Sequence, residues 1–308
     1  MIHEYALEPS VLSSWAANKR DYAEFLREYG LGTPRIFSSF PKKKTSKLRS
    51  YLLQFSPPED QSLHGQRYLE MVTKLIESIV LREIPDYPTN DWTEVVTAEN
   101  ERAPFGVVLS SDNIDTNRSI TSANMYGPDS IWNHPVQLNI QRTNQGMMDA
   151  ISDSIRLATK HIVIVDTFGW TPEAISFVQF LINSISNNRV NETVPCITLF
   201  YKEKRGGVNA GGGSPSAGHV KSQIEQGINN RIANMGLNVT ELREMPGNDV
   251  FHNRCILTEL GGVITGHGIG VSGEEQHTDE AILMAPVIYQ KKWRQFVENN
   301  CFEIVSQT

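Results

Sequence analysis

The sequence predicts an α/β fold in which helices sandwich a mixed β-sheet, preceded by a smaller, mainly helical N-terminal region. From about residue 136 onward, helical and strand patterns alternate, as expected of an α/β fold. The continuous apolar run 162–165 is typical of a parallel strand buried on both faces. Short apolar runs then follow one another closely between 251 and 284, and such close spacing requires antiparallel pairing. We expect two domains, 1–118 and 119–308.

The N-terminal region contains two amphipathic patterns. Residues 10–29 have helical apolar spacing and precede Gly30, which suits a helix C-cap. Residues 68–81 form a second amphipathic helix that ends before two prolines. The run 104–109 predicts a short buried strand, and the Asn-, Ser- and Pro-rich segment 112–135 predicts a connector.

The second region supplies the alternating elements of the predicted sheet. Proline opens the second of its helices, as is common in a first helical turn. The predicted elements are helix 147–160, strand 162–165, helix 172–187, strand 196–200, helix 219–235, strand 239–242, a strand beginning near residue 252, strands 263–265 and 281–284, and helix 287–299.

The composition is that of an ordinary globular protein, with 39% hydrophobic and 20% charged residues among 308. A net charge of −7 argues against a surface that coats nucleic acid as a whole, although a local basic groove remains compatible with it. No apolar run is long enough to span a bilayer, and the N-terminus lacks a secretion signal. Three scattered cysteines, Cys196, Cys255 and Cys301, predict free thiols in the cytoplasm and no zinc site. We also expect no cofactor.

A histidine and an arginine stand two residues apart at the start of a predicted strand. His252 and Arg254 therefore share a face of that strand, and an imidazole beside a guanidinium suits binding or chemistry at a phosphate. Glu259 follows, and Gly266-His267-Gly268 ends the next apolar run, where glycine lets the backbone approach closely. A plain β-hairpin with one buried histidine fits the same spacing.

Further polar residues stand at neighbouring strand ends. Asp166 ends the first strand of the second region, and His277, Asp279 and Glu280 precede or begin the strand near 281. Because loops converge at strand ends, we expect these positions to meet at one edge of the sheet. Histidines with carboxylates can also hold a divalent metal, but their spacing matches no metal motif, and we predict none.

The glycine-rich segment 202–218 lies between a strand and a helix and carries Lys202, Lys204 and Arg205. A basic loop before a helix N-terminus can cradle a phosphate. The segment lacks the glycine and lysine spacing of a nucleotide-binding P-loop. It fits either a lid or a surface loop.

A basic cluster occurs earlier in the chain, before a predicted helix. Its members are Lys42, Lys43, Lys44, Lys47 and Arg49. The cluster fits a solvated loop and first helical turn, and it also fits phosphate binding.

From about 136 to 300, the order of elements and the motif His252-x-Arg254-x4-Glu259 resemble one half of the phospholipase D superfamily. In that superfamily the pattern is His-x-Lys-x4-Asp followed by Gly-Ser-x-Asn, so here Arg254 takes the Lys place and Glu259 the Asp place. His267 follows Gly266 where the Ser would be. The resemblance implies a phospholipase-D-like sheet and a phosphodiester-handling site.

The pattern is also similar to the degenerate phospholipase-D-like C-terminal domain of MIT-domain proteins, and similar modules occur in bacterial proteins linked to DNA restriction and phage defence. The former are implied to bind phosphorylated lipid without hydrolysis. Arg254 can still bind phosphate oxygens in place of the family's Lys. Glu259 is one methylene longer than the family's Asp, and catalysis tolerates such a displacement of the carboxylate poorly. The superfamily also needs two such histidines, one as nucleophile and one as general acid.

Three functions follow as expectations. The first is binding of nucleic acid or another phosphorylated ligand, within a bacterial anti-phage or restriction complex, by a degenerate site of His252, Arg254, Glu259 and His267. Lys202, Lys204, Arg205, Gly266, Gly268, His277 and Glu280 would line this site. The second is a metal-independent phosphodiesterase or nuclease that works as a homodimer with His252 as nucleophile. The third is a protein–protein adaptor with a vestigial pocket.

Overall fold

The computed structural model describes the chain outside residues 59–61, 129, 188, 207–211, 230–234, 248–249, 252–253, 273, 275 and 299–300. The chain divides into two units. One unit covers residues 2–135, and the other covers residues 136–308 together with Met1.

The unit 2–135 is built on a parallel β-sheet. Its described strands run in the order β2-β1-β3-β4, and Tyr5 lies opposite both Phe37 and Val107. The strands are β1 (His3–Leu7), β2 (Arg35–Phe37), β3 (Val107–Ser110) and β4 (Ser119–Thr121). The predicted domain end at residue 118 lies just before β4, which pairs with β3, so the sheet continues beyond it.

Helices predominate in this unit, as predicted, and they cover the sheet. Asn18 separates the first two helices where the sequence pattern predicted one, because its side chain accepts hydrogen bonds from Arg20 N and Asp21 N. The described helices are α1 (Pro9–Ala17), α2 (Lys19–Glu28), α3 (Thr45–Leu53), α4 (Leu63–Glu77) and α5 (Trp92–Arg102).

A buried ion cluster lies within the same unit. The guanidinium of Arg82 is fully buried and contacts Glu4 Oε2 at 2.6 Å and Glu99 Oε1 at 2.7 Å. It also lies 3.9 Å from the ring centroid of Phe105. Because burial removes water from all three charges, the ion pairs among them must compensate for the lost hydration.

The unit 136–308 contains a mixed sheet, and this confirms the predicted α/β class. Described strands run in the order β12-β8-β7-β6-β9-β10-β11-β5, with parallel pairing among β6, β7 and β8 and antiparallel pairing elsewhere. The strands are β5 (Gln137–Gln141), β6 (His161–Asp166), β7 (Cys196–Lys202), β8 (Leu237–Arg243), β9 (Cys255–Thr258), β10 (Gly261–Thr265), β11 (Thr278–Leu283) and β12 (Glu303–Gln307).

Helices flank this sheet. The helices α6, α7 and α8 pack side by side, and α9 packs against β10. Alternate residues of β6 point to opposite faces of the sheet. On one face, Val163 and Val165 pack in a buried cluster with Phe200, Leu257 and Phe296. The helices are α6 (Asn144–Leu157), α7 (Pro172–Asn187), α8 (Ala217–Gln226) and α9 (Pro286–Trp293), followed by a π-helical turn (Arg294–Glu298).

The predicted helix 219–235 ends earlier than expected, at Gln226, and Gly227 follows as its C-cap. Of its last residues, 230–234 lie outside the described part of the chain. In the described ranges, we find no helix whose length and apolar character would let it cross a membrane.

Candidate functional site at one edge of the mixed sheet

The topology brings several predicted residues to one edge of the mixed sheet. The strands β5, β6, β7, β8 and β10 run in one direction, and β9 and β11 run in the other. The carboxyl ends of the first group and the amino ends of the second therefore meet. Asp166, Arg254, His267 and Asp279 all lie at this edge, which we call the site edge.

Asp166 is a buried carboxylate at the end of β6, with 2% of its surface exposed. Its Oδ1 accepts a hydrogen bond from Phe168 N at 2.8 Å, and its Oδ2 accepts one from Ile269 N at 2.6 Å. Burial raises the pKa of Asp166, while these amides and the positive charges of Arg254 and Arg142 act in the opposite direction. The carboxylate thus joins the β6 turn to the loop after β10.

Arg254 lies across from Asp166, because the β6–β9 pairing of Val165 with Cys255 continues by one residue. Its side chain is half-buried, and its Nη1 donates to Gly266 O at 3.1 Å. Its Cζ lies 5.6 Å from the ring centroid of Phe168. In the described part of the chain, no carboxylate is within ion-pair distance of this guanidinium. Several of its five N–H donors therefore remain free for a ligand.

The two glycines of the predicted Gly-His-Gly turn are needed for close packing. A Cβ on Gly268, whose φ is +91°, would lie 2.1 Å from Asp166 Oδ2 and 3.0 Å from Arg254 Cδ. A Cβ on Gly266 would lie 2.6 Å from Asp279 Oδ1. Both glycines thus shape the site edge through the backbone, as predicted for close approach.

His267 forms a pair with Asp279. Its Nδ1 lies 3.1 Å from Asp279 Oδ1, and its backbone N donates to Asp279 Oδ2 at 2.9 Å. The carboxylate is buried, whereas 66% of the imidazole is exposed. When Nδ1 carries the proton and donates to Asp279, Nε2 presents a lone pair to solvent. The sequence pattern identified both residues but did not indicate that they would pair.

Arg142 is a residue of the site edge that the sequence analysis missed. Its Nη2 donates to Gly270 O at 2.7 Å, and its Nε is buried without a hydrogen-bond partner in the described ranges. Its position directly after the last residue of β5 was the available signal, because strand ends collect functional side chains.

Two predicted binding residues on and before β11 do not join Arg254. His277 Nδ1 lies 2.6 Å from Ser272 Oγ, and its Nε2 lies 3.2 Å from Glu274 Oε2, so its ring belongs to a local turn. Glu280 is exposed and adjacent to buried Asp279. Because neighbouring side chains of a strand point to opposite faces, Glu280 lies on the other face from Asp279.

Two of the three predicted cations at and after the end of β7 pair with neighbouring acids. Lys202 Nζ pairs with Glu244 at 2.7 Å. Arg205 contacts Glu203, whose carboxylate also forms two bonds with Arg243, and these bonds lower the pKa of Glu203 to about 2. Lys204 is exposed, with its backbone N bonded to Ser214 Oγ, and 207–211 lie outside the described residues.

Glu259 lies at the opposite edge of the sheet from Arg254. Its carboxylate accepts hydrogen bonds from the backbone N–H groups of Thr159, Lys160 and His161 at 2.5, 2.9 and 3.1 Å. Five residues of extended chain separate it from Arg254 by roughly 16 Å. The structure therefore does not bring Glu259 into the predicted site, and its bonds fix the start of β6.

His252, the predicted nucleophile, lies outside the described residues together with Asn253. In the part of the chain that the structure describes, no group of three or more His, Cys, Asp or Glu side chains could hold a metal ion. Arg254, Phe168 and the His267–Asp279 pair remain as the groups that can act on a ligand at the site edge.

No protein-family profile and no curated protein matches this sequence. Among solved structures, the chain is similar to Nuc from Salmonella typhimurium, a phospholipase D family member. The identity is 11% and the TM-score 0.34, over 55% of this chain and 97% of that one. It is also similar to TrmBL2, an archaeal chromatin protein whose structure shows a novel mode of DNA binding. Here the identity is 10% and the TM-score 0.27, over 97% of this chain and 100% of that one. At these TM-scores the likeness carries no functional conclusion.

Proposed function

We propose that the site edge binds a phosphodiester group of nucleic acid and that Arg254 is the residue that holds the phosphate. The availability of the Arg254 guanidinium carries this proposal. It donates one hydrogen bond to Gly266 O and has no acidic partner in the described chain, unlike the neighbouring Lys202 and Arg243. A planar guanidinium with free donors binds phosphate oxygens in pairs.

Phe168 supports nucleic acid as the ligand class. Its side chain is 46% exposed, and its ring lies beside the Arg254 guanidinium. An exposed aromatic ring next to a phosphate-binding cation provides a surface for base stacking, which an isolated phosphate would not use. This arrangement needs no contribution from Glu259, which serves the opposite edge.

Fluorescence anisotropy with a labelled single-stranded oligonucleotide tests the proposal. Arg254→Ala should weaken binding about 10- to 100-fold, because one charge-assisted hydrogen-bonding group is worth about 1.5–3 kcal/mol. It should also reduce the salt slope by about 0.7, the contribution of one phosphate contact on a single strand. Arg205→Ala is the matched control, since it removes the same charge from an ion-paired position. Equal affinity of the two variants would show that Arg254 does not hold the phosphate.

A second candidate function, phosphodiester hydrolysis, is favoured by the His267–Asp279 pair. The buried carboxylate orients the imidazole so that Nε2 can take a proton from an attacking water. The strands β9 and β11 flank β10, so Arg254 and Asp279, the partner of His267, lie about 10 Å apart at the same edge. In this scheme Arg254 holds the phosphate beside the base.

Cleavage of a chromogenic phosphodiester in the presence of EDTA tests this candidate. Activity should disappear in His267→Ala and fall in Asp279→Asn, which keeps the shape but not the charge. His252→Ala is a necessary companion, because the superfamily resemblance assigns nucleophilic attack to that residue. Activity that needs His252 but not His267 would indicate that the reaction follows the superfamily's chemistry. If the unmodified protein cleaves the substrate no faster than His267→Ala does, hydrolysis is excluded and only the binding function remains.

The wider expectations are part of the same proposal. We propose that the protein is cytoplasmic and forms a homodimer. We also propose that it binds a partner protein in an anti-phage or restriction complex, where a nucleic-acid-binding module would act. Light scattering of the purified chain checks the dimer. An Arg254→Ala variant that retains full defence against phage in cells would instead favour the adaptor function.

A further inference from the structure

A second charged groove lies in the unit 2–135, and the function proposed above does not use it. The groove is open and has a volume of about 1150 Å³. One wall is formed by residues 41–55, at and before the start of α3, and the other by residues 84–95, which lead into α5. We call it the lysine groove, after Lys42, Lys43, Lys44 and Lys47, which line it.

The four lysines carry charge that the described residues do not neutralise. None of them has a carboxylate within ion-pair distance in the ranges that the structure describes, and the last three are exposed. Lys42 Nζ donates to Asn90 Oδ1 at 3.1 Å. Lys44 is the N-cap residue of α3 and makes no side-chain capping bond, so the positive end of the helix faces the same region.

Three carboxylates also line the groove, and at least two of them are occupied elsewhere. Glu8 accepts hydrogen bonds from Ser10 and Ser111, and Asp91 caps α5 by accepting from Glu94 N at 3.0 Å. The third is Asp86. The four lysines outnumber these three acids by one, so the lining carries a net positive charge that favours an anionic ligand.

Aromatic rings line the groove beside the lysines. Tyr51 and Phe55 are half-buried with ring centroids 5.4 Å apart, and Lys42 Nζ lies 5.5 Å from the Tyr51 centroid. Trp92 is 7% exposed, and its indole N–H has no hydrogen-bond acceptor in the described chain. Rings alternating with cations are the arrangement by which proteins hold unpaired bases and their phosphates.

We propose that the lysine groove is a separate binding site for single-stranded nucleic acid, with the phosphates on the lysines and the bases against Tyr51 and Phe55. Single strands fit because their bases are free to stack on rings inside a groove, whereas duplex bases are already stacked. The proposal goes beyond the site edge, because it uses residues of the other unit and does not depend on Arg254.

The test measures anisotropy of a fluorescein-labelled oligothymidylate of about 20 nucleotides on the full chain. The variant Lys43→Ala/Lys44→Ala/Lys47→Ala removes three exposed charges and leaves the core intact. Its salt slope should fall by about two, and its affinity at least about 10-fold, because each phosphate contact on a single strand contributes about 0.7 to the slope. The control Lys19→Ala/Arg27→Ala/Lys160→Ala loses the same charge at other exposed positions. Equal binding by both triple variants would overturn the proposal.

Two further measurements separate this site from the site edge and from other ligands. In the Arg254→Ala background the triple lysine variant should lose the same factor in oligothymidylate affinity as it does with Arg254 present. The two sites are therefore tested separately, and a negative result at one does not decide the other. Tyr51→Leu, which keeps an apolar side chain, should weaken oligothymidylate binding at least about fivefold by removing a stacking surface. Inorganic polyphosphate that competes as well as oligothymidylate per phosphate, or tighter binding of duplex of the same length, would contradict a single-strand site.

Discussion

Replacement of Gly268 by alanine should disrupt the packing that holds Asp166 and Arg254 at the site edge. The alanine Cβ would lie 2.1 Å from Asp166 Oδ2 and 3.0 Å from Arg254 Cδ. Since no real Cβ approaches an oxygen so closely, either the carboxylate or the loop must move. The hydrogen bond from Ile269 N to Asp166 then breaks.

The expected loss of stability has two parts. An alanine at the φ of +91° costs about 1–2 kcal/mol, and a lost hydrogen bond to a buried carboxylate costs about 1.5–3 kcal/mol. Gly247 provides the matched control, because its φ is +80° and a Cβ there meets no atom within 4 Å. Gly247→Ala should therefore lose only the first part, and Gly268→Ala about 1.5–3 kcal/mol more.

Thermal unfolding followed by circular dichroism on the full chain measures this difference. For a unit of this size, about 1.5–3 kcal/mol corresponds to a melting temperature roughly 3–12 °C below that of the control. Faster hydrogen exchange at the Ile269 amide should accompany it, since that amide loses its acceptor. Equal melting temperatures for the two glycine variants would refute the close contact between Gly268 and Asp166.

Three other perturbations follow from the contacts. Glu259→Gln should destabilise the chain by about 1–3 kcal/mol in urea unfolding, because it weakens the hydrogen bonds that Glu259 accepts from three backbone N–H groups. Oligonucleotide affinity should be unchanged, because these hydrogen bonds lie far from the site edge. Burial raises the pKa of Asp166, so its stabilising contribution is complete below the ordinary Asp pKa of 3.8 and is lost as pH rises through the folded-state pKa. Asp166→Asn should flatten that decline in a urea-midpoint series across pH. Arg82→Met should cost about 3–5 kcal/mol, because it removes the buried guanidinium that contacts both Glu4 and Glu99. Arg102→Ala should cost less, because Arg102 is partly exposed and Arg82 still pairs with Glu99.

Local sequence patterns predicted much of the unit 136–308. The apolar run before Asp166 and the helix after Pro172 both lie where expected, because continuous apolar runs and 3.6-residue periodicity depend on nearby residues alone. The strand ends that carry Asp166, His267 and Asp279 were expected to meet because loops converge at the strand ends of an α/β sheet. The strand β1 was not predicted, since its five residues are too few for a clear alternation.

Partners distant in sequence could not be predicted from these patterns. Glu259 is about 100 residues from the amides it binds, and Arg142 reaches the carbonyl of Gly270 across a similar span. Such contacts depend on strand order, which sets β6 beside β9 and β5 beside β11. The motif placed Glu259 with Arg254 by sequence, although an extended strand sets residues five apart at its two ends.

The sequence by itself determined the α/β class, the alternation of elements and the glycine-flanked turn around His267, because each depends on local backbone preference and hydrophobic period. Only the tertiary structure decided which charges are neutralised and which remain available. Lys202 and Arg243 pair with acids just beyond the ends of the neighbouring strands, whereas Arg254 contacts a carbonyl and an aromatic ring. Charge pairing across a sheet depends on register and strand order, which no local pattern encodes.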